Sequence, residues 1–245
     1  MLTLLFISGF FSVIFAAEAT IPTVNLSLSA PDTPNQLVTT LNIVIVLTIL
    51  ALAPSIIFVM TSFLRLIVVF SFLRQAMGTQ SMPPNTILVT LALILTFFIM
   101  EPVATKSYNE GIKPYLAEQI GYEEAFARGV KPFKDFMLKN TREKDLALFC
   151  RIRKTCLILK TIDDVPLTVL VPAFMISELK TAFEIGFLIY LPFLVIDMVV
   201  SSVLMAMGMM MLPPVMISLP FKLLIFVLVD GWNLLVQRLV ESFVT

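Results

Sequence analysis

The sequence contains no histidine, and only 14% of its 245 residues are charged. The chain therefore lacks the commonest general base, the usual zinc ligand and the side chain that titrates near physiological pH. Lys and Arg together number 17, as do Asp and Glu, so the charge balance gives no indication of a nucleic-acid partner. Only two cysteines are present, and a metal site is not expected from two cysteines without histidine.

Apolar residues dominate what remains. The chain is 58% hydrophobic, with a mean hydropathy of +0.97. This composition is typical of a membrane protein and lies far from that of a soluble globular domain. We predict an all-α, membrane-associated fold in which two repeated helical hairpins with kinked long arms flank a small helical domain.

A nine-residue motif occurs twice, 130 residues apart, at Ala76–Pro84 and at Ala206–Pro214. Both copies begin with Ala-Met-Gly and end with Pro-Pro. Glycine can adopt the positive φ that ends a helix, whereas Pro-Pro cannot continue a helix but can begin the next one. Each copy therefore predicts the turn of a helical hairpin; we name them the first corner and the second corner. The residues expected to shape them are Gly78, Pro83, Pro84, Gly208, Pro213 and Pro214.

The two corners differ in their middle residues. The second corner has Met209, Met210 and Met211 where the first corner has Thr79–Ser81. Flexible, polarizable thioethers suit a deformable contact surface, whereas a water-exposed loop more often holds Ser, Asn or Asp. The second corner is therefore either a specialised contact loop or an ordinary hairpin loop.

The N-terminal residues predict a secreted or anchored start. Met1–Ala19 combines a short apolar core with a small-x-small cleavage site at its end, which predicts a signal peptide; a retained anchor helix is the alternative. Residues 20–40 are rich in Pro, Ser, Thr and Asn and predict an exposed linker.

Residues 41–101 form the predicted first hairpin. The outward arm, Leu41–Leu73, is almost continuously apolar and predicts one tilted span or a pair of helices kinked at Pro54. The returning arm, Thr86–Met100, is expected to stop at Glu101-Pro102. A helix of that length rises only about 22 Å, against about 30 Å of hydrocarbon, so it is short for a lipid span.

Residues 102–180 hold most of the Lys and Arg residues and predict a water-facing domain of several short amphipathic helices, with Thr141 near one cap. After a signal peptide and one out-and-back hairpin this domain is extracytoplasmic, and the positive-inside rule does not constrain so long a segment. Cys150 and Cys156 lie here. A disulfide between them requires a loop, because residues six apart point to different faces of a helix; free thiols are the alternative.

Residues 181–232 form the predicted second hairpin. Its outward arm is Thr181–Leu212, with Pro192 as the kink, and its returning arm is Val215–Val229. Residues 233–245 alternate apolar and polar side chains at helical spacing and predict an amphipathic tail.

Several charged side chains lie inside the apolar arms or at their ends, where charge is costly. We expect them to face protein or water and to form a network of ion pairs that fixes helix packing. A path for protons or ions is the alternative. Intramembrane aspartyl proteolysis is disfavoured because the second acid lacks the Gly-x-Gly-Asp frame. The residues of this network are Arg65, Glu101, Glu178, Glu184, Asp197, Lys222 and Asp230.

Several longer segments match one known family. They are Met60–Arg65, Pro83–Asn85, Leu95–Met100, Pro172–Phe187, Pro192–Pro214, Phe221–Leu223 and Val229–Trp232. In these segments the chain resembles the FliP family of flagellar export-gate proteins, and the resemblance extends over residues 41–245.

The resemblance implies a non-enzymatic core subunit of the type III secretion export gate, without cofactors, in the bacterial inner membrane at the flagellar basal body. Several copies would assemble with FliQ and FliR type subunits, in contact with membrane lipid, into a helical channel for unfolded flagellar subunits. Met209, Met210 and Met211 would act as a gasket of the closed pore. The hairpins would be lifted largely out of the bilayer plane in the assembled gate.

Three alternatives remain at this stage. The first is the export gate of a virulence-type secretion system, although the signal peptide and the middle domain favour the flagellar branch. The second is a proton- or ion-coupled small-molecule transporter that uses Asp197 and Glu184. The third is a passive scaffold that anchors other secretion components.

Overall fold

The structure is a computed structural model that describes residues 34–79, 82–153, 164–209 and 213–244. The predicted signal peptide, the first part of the predicted linker, Met210, Met211 and Cys156 lie outside these residues. Residues from Leu50 onward form one compact unit, and the contacts below all lie within it.

The described residues are helical and contain no β-strand, which confirms the all-α prediction. A short π-helical segment, Tyr108–Ile112, follows the third helix directly. The helices are α1 Pro34–Val59, α2 Phe63–Met77, α3 Asn85–Ser107, α4 Lys113–Leu116, α5 Tyr122–Asn140, α6 Glu143–Arg153, α7 Leu167–Ala206, α8 Pro214–Leu228 and α9 Gly231–Val244.

The first outward arm consists of two helices, but the break is not at Pro54. Helix α1 begins at Pro34, inside the predicted linker, and continues through Pro54 to Val59. The break falls between Val59 and Phe63, where the Thr61 hydroxyl donates a 3.1 Å hydrogen bond to the Phe58 carbonyl. The same hydroxyl accepts a 3.4 Å bond from the Phe63 N–H, so Thr61 supplies partners to backbone groups at the break.

The first returning arm is longer than predicted. Helix α3 does not stop at Glu101-Pro102 but continues through Pro102 to Ser107. Its 23 residues rise about 34 Å, enough to cross a hydrocarbon core of about 30 Å. Packing against α5 accompanies the extension, and the Ser107 hydroxyl donates a 2.7 Å bond to the Gly129 carbonyl. The expectation of a short arm was wrong because a proline removes one backbone donor without always ending a helix.

The second outward arm is one helix of 40 residues, α7, which passes through Pro172 and Pro192. It begins at Leu167, so the predicted boundary between middle domain and second hairpin at residue 180 falls inside it. Helix α7 packs against α2, α5, α6 and α8 and is the element around which the compact unit is built.

The second returning arm is short, as predicted, and ends in a sharp bend. Helix α8 has 15 residues, and α9 follows it at an angle of 64°. Asp230 adopts a positive φ of 51° at the bend. The next residue is Gly231, where a Cβ would lie 2.3 Å from the Phe226 ring, so only glycine fits without displacing that ring.

The middle region contains α5 and α6, joined by a short turn. Thr141 closes α5 rather than opening α6, because its N–H bonds the Leu138 carbonyl at 3.3 Å and its hydroxyl donates to the Met137 carbonyl at 2.6 Å. The π-helical segment and α5 approach each other very closely. A Cβ on Gly111 would lie 2.7 Å from the Gly129 Cα.

Among the residues that the structure describes, two helices are long and apolar enough to cross a membrane, and the bent pair α8–α9 would make a third if it forms one span. The two are residues 85–116 and 167–206. Many large apolar side chains on them are exposed, Phe97 to 75% and Phe187 to 61%. Such an apolar surface needs lipid or another protein to cover it.

We predict that Gly111→Ala destabilises the chain by about 1–3 kcal/mol, because the new methyl group meets the backbone of Gly129, which cannot move aside. The measurement is thermal unfolding of the detergent-solubilised chain.

Gly129→Ala is the matched control on the opposite side of the same contact. Its Cβ would have ordinary contacts of 3.6 Å or more, and we expect it to unfold like the unaltered chain. Equal destabilisation by both substitutions would show that the close contact is not what Gly111 provides.

Candidate functional site

The two corners have the same backbone geometry at their glycines. Gly78 has φ +77° and Gly208 has φ +75°. The Gly78 N–H bonds the Gln75 carbonyl at 3.0 Å, and the Gly208 N–H bonds the Met205 carbonyl at 3.0 Å. Each bond closes the last turn of an outward helix. The positive φ that each glycine adopts there is one that residues with a side chain rarely adopt.

The prolines of the two corners begin the returning helices. Helix α3 starts at Asn85, directly after Pro84, and α8 starts at Pro214, directly after Pro213. Pro83 precedes Pro84 and lies partly buried in the first corner. A proline at this point fixes φ near the helical value and has no N–H to leave unpaired.

Met209 begins the middle of the second corner. It is 39% exposed, and its N–H bonds the Leu204 carbonyl at 3.0 Å. Met207, three residues after that carbonyl, is 66% exposed. The described part of the second corner therefore presents thioether side chains outward from the compact unit.

Lys222 on α8 connects the first corner to the arms of the second hairpin. Its ammonium group donates a 2.6 Å hydrogen bond to Asp197 Oδ2 on α7 and a 3.1 Å bond to the Ala76 carbonyl in the last turn of α2. Lys222 is 3% exposed. The other oxygen of Asp197, Oδ1, accepts a 2.5 Å bond from the Ser218 hydroxyl. A cation at a helix C-terminus satisfies an end carbonyl and interacts favourably with the helix dipole.

A second buried cation, Arg65 on α2, pairs with Glu178 on α7. Arg65 Nε donates a 2.8 Å bond to Glu178 Oε2, and Nη2 donates to Oε1, so the pair is bidentate. Glu178 is completely buried and Arg65 is 3% exposed. Removing two charges from water is favourable only with such complete pairing.

The end of α9 completes the Arg65 site. Arg65 Nη1 donates to the Ser242 carbonyl at 3.1 Å and to the Ser242 hydroxyl at 2.9 Å. The Phe243 ring lies under the guanidinium, 3.7 Å from Cζ to the ring centroid. Sequence reasoning missed both residues, since nothing in an amphipathic tail indicates which cation it will contact.

Glu184 has a different partner, Arg142 in the turn between α5 and α6. Arg142 Nη1 and Nη2 donate to its two oxygens at 3.0 and 2.6 Å. The hydrogen bonds that Arg142 donates to Glu184, together with the negative charge of this carboxylate, raise the pKa of the Arg142 guanidinium. The Arg142 N–H also bonds the Ser177 hydroxyl at 2.9 Å, which ties this turn to α7. Sequence reasoning did not single out Arg142, which lies outside the apolar arms.

Glu101 and Asp230 lie apart from these pairs. Glu101 is exposed on α3, and the Asp230 carboxylate accepts a 3.1 Å bond from the Asn233 amide at the bend. Five of the seven predicted charges thus lie in three separate ion pairs, Arg65–Glu178, Lys222–Asp197 and Arg142–Glu184, rather than in one continuous chain of ionisable groups.

The acidic and cysteine side chains of the described residues form no cluster of three that could hold a metal ion. Cys150, on α6, is disulfide-bonded, which favours the disulfide over the alternative of free thiols. The sequence has one other cysteine, Cys156, and it lies outside the described residues.

An open groove lies between α7 and α8, next to the second corner. Apolar side chains line it throughout, and most of them are exposed. Its lining residues are Val195, Ile196, Val199, Val200, Val203, Leu204, Met207, Ile217, Phe221 and Ile225.

Comparison with known proteins identifies close relatives. A family profile described as the FliP family matches residues 46–239. The "Flagellar biosynthetic protein FliP" of Bacillus subtilis is 52% identical over 218 residues, which is 89% of this chain and 98% of the relative. The protein of the same description from Caulobacter vibrioides is 57% identical, over 80% of this chain and 74% of the relative. That from Aquifex aeolicus is 52% identical, over 85% and 87%.

We predict that Glu178→Gln destabilises the chain by about 3–5 kcal/mol, because it leaves the buried Arg65 charge without its anion. Glu184→Gln, on the same helix, removes a half-exposed carboxylate and should change stability little. Thermal unfolding can be followed by Trp232 fluorescence, since this is the only tryptophan and its ring packs 5.5 Å from Phe226. Similar losses in both variants would argue against the role of burial.

We predict that Lys222→Met lowers stability by about 1–3 kcal/mol, since the Asp197 carboxylate and the Ala76 carbonyl each lose a donor. Lys180→Met, at an exposed position of α7, serves as the control. The same unfolding measurement applies. A Lys222→Met chain as stable as the control would mean that these two hydrogen bonds contribute nothing net.

Proposed function

The chain belongs to the FliP family, and we propose that it is a channel-forming subunit of the flagellar type III export gate. In this role it passes unfolded flagellar subunits across the inner membrane during flagellum assembly. The observation that carries the proposal is the 52% identity to a flagellar biosynthetic protein over 98% of that relative's length. The flagellar names of the relatives also favour this branch over a virulence-type system.

The exposed apolar surface supports assembly with other subunits. The groove between α7 and α8 and the exposed apolar faces of the long helices are more than a single soluble chain leaves uncovered. Helix α8 rises only about 22 Å, too little to cross a bilayer alone. We propose that further copies of the chain, together with FliQ and FliR type subunits, cover these faces.

The second corner is the proposed gasket. In a ring of subunits around one axis, the loops Met209–Met211 would surround the pore. Thioether side chains are flexible and polarizable, so they can close around water and ions yet deform around an extended polypeptide. The outward-facing Met207 and Met209 are consistent with this use.

The buried ion pairs have a packing role in this proposal. Lys222 holds the end of α2 against α7 and α8, and thereby fixes the first corner relative to the arms of the second hairpin. Arg65 and Glu178 hold α2 against α7 at the opposite end of α2. Together they give the gasket loop a rigid support, since both ends of α2 are tied to α7.

The middle region is proposed to be extracytoplasmic. The disulfide at Cys150 supports this location, because disulfides form and persist in oxidising compartments such as the periplasm and are rare in the cytosol.

A small-molecule transporter is less well supported. It would use Asp197 and Glu184 at one mid-depth site, but these residues are 13 positions apart on one helix, which separates them by about 20 Å. Each is already bound by its own cation, Lys222 or Arg142.

Native mass spectrometry of the detergent-extracted chain, expressed alone and with the neighbouring secretion proteins, tests the proposal. We expect several copies of the chain in one complex with small membrane partners. A stable monomer or dimer that does not bind those partners would contradict the export-gate function and favour the transporter.

We predict that replacing Met209, Met210 and Met211 with alanine leaves the complex assembled but lets small ions leak, because alanine side chains are too short to close the pore. The measurement is ion conductance in cells or planar bilayers. The control replaces Thr79, Gln80 and Ser81 of the first corner with alanine and should not leak. If the variant with three alanines assembles and remains impermeable to ions, the gasket role is ruled out.

A further inference from the structure

We propose that Ser242 and Phe243, at the end of α9, form a clamp that closes the Arg65–Glu178 site and holds α9 against both hairpins. We name these two residues the C-terminal clamp. The clamp itself stands on the geometry of this chain; its importance for export rests on the proposed function.

The donors of Arg65 show why the pair needs a third component. A guanidinium has five N–H donors and cannot lose its charge. Glu178 occupies Nε and Nη2, which leaves Nη1 inside the protein without an acid to bind. Ser242 supplies two acceptors to Nη1, its carbonyl and its hydroxyl. Because Arg65 is 97% buried, water cannot replace them.

Phe243 covers one face of the guanidinium. Its ring centroid lies 3.7 Å from Cζ of Arg65, within the range of a cation–π contact, and such contacts are strongest where water is excluded. The same ring stacks on Phe136 of α5 at 6.1 Å. One side chain therefore joins the charge on α2 to the middle region.

The rest of α9 depends on this end for its position. Leu235, Leu239 and Phe243 are buried at a spacing of four residues and form one face of the helix. At the other end, α9 is joined to α8 by the 64° bend at Val229-Asp230 and by the packing of Trp232 against Phe226. The Arg65 contacts are thus the polar attachment that fixes where the helix ends.

The Arg142–Glu184 pair provides an internal comparison. It has the same bidentate pairing, yet its side chains are 32% and 55% exposed. Water can reach the Arg142 guanidinium, whereas the acceptors of Arg65 Nη1 come from Ser242 of the C-terminal clamp. The C-terminal clamp is therefore a requirement of the buried Arg65–Glu178 pair, and not of arginine–glutamate pairs in general.

The test is a double-mutant cycle read by limited trypsin cleavage after Arg238, whose side chain on α9 is 82% exposed. Phe243→Leu keeps an apolar side chain but removes the ring. We expect about tenfold faster cleavage. Loss of a cation–π contact that is shielded from water should raise the population of the released helix by about that factor, and cleavage follows this population. Acrylamide quenching of Trp232, at the start of α9, should rise in parallel.

The same substitution is then made in a background of Arg65→Met with Glu178→Met, where an apolar pair replaces the charges. If Phe243 acts through Arg65, Phe243→Leu speeds cleavage clearly less in this background, where only its stacking on Phe136 is lost. An equal acceleration in both backgrounds would reduce Phe243 to an ordinary packing residue and overturn the clamp. If the chain with Arg65→Met and Glu178→Met does not fold, Arg65→Gln with Glu178→Gln serves as the uncharged background.

Phe126→Leu, at an exposed position of α5, is the matched control and should leave cleavage after Arg238 unchanged. Secretion of flagellar subunits is measured separately in the same variants. Coupling in the cycle with normal secretion would uphold the clamp and contradict only its role in export. Absence of coupling would overturn the clamp whatever the secretion result.

Discussion

The buried guanidinium of Arg65 is the constraint on which the arrangement of the helices depends. An arginine stays charged at any physiological pH, and an apolar interior accepts that charge only if an anion and hydrogen-bond acceptors surround it. Glu178 on α7 and Ser242 on α9 supply those acceptors, and Phe243 supplies an aromatic face. Helices α7 and α9, far from α2 in the sequence, must therefore both reach the same point of α2, which restricts how the two hairpins can pack.

Lys222 imposes a similar requirement at the other end of α2. Its ammonium group links the Ala76 carbonyl beside the first corner to Asp197 in the second hairpin. The repeated motif thus does more than produce two turns of the same shape. The carbonyl of Ala76, at the end of the first outward helix, also accepts a hydrogen bond from Lys222 in the second hairpin. The gate-forming role proposed for the second corner relies on this rigid connection.

The repeat also shows where sequence reasoning succeeds and where it fails. The positive φ of Gly78 and of Gly208 follows from local steric rules, and the structure has both. Prolines were less informative: α1 continues through Pro54 and α3 through Pro102. The first outward arm instead breaks between Val59 and Phe63, and the second returning arm bends after Leu228, at the positive φ of Asp230. A proline removes one donor, and the surrounding packing decides whether the helix bends, so its neighbours in sequence do not reveal the outcome.

The helical class, the apolar surface, the two corners and the family could be predicted from the residues alone, because these depend on composition, local backbone preferences and long matching segments. Which charges meet could not be predicted in this way. Arg65 and Glu178 are 113 residues apart, and Arg65 and Ser242 are 177 apart. Whether two such side chains come within hydrogen-bonding distance depends on the crossing of whole helices, and no spacing along the chain encodes that geometry.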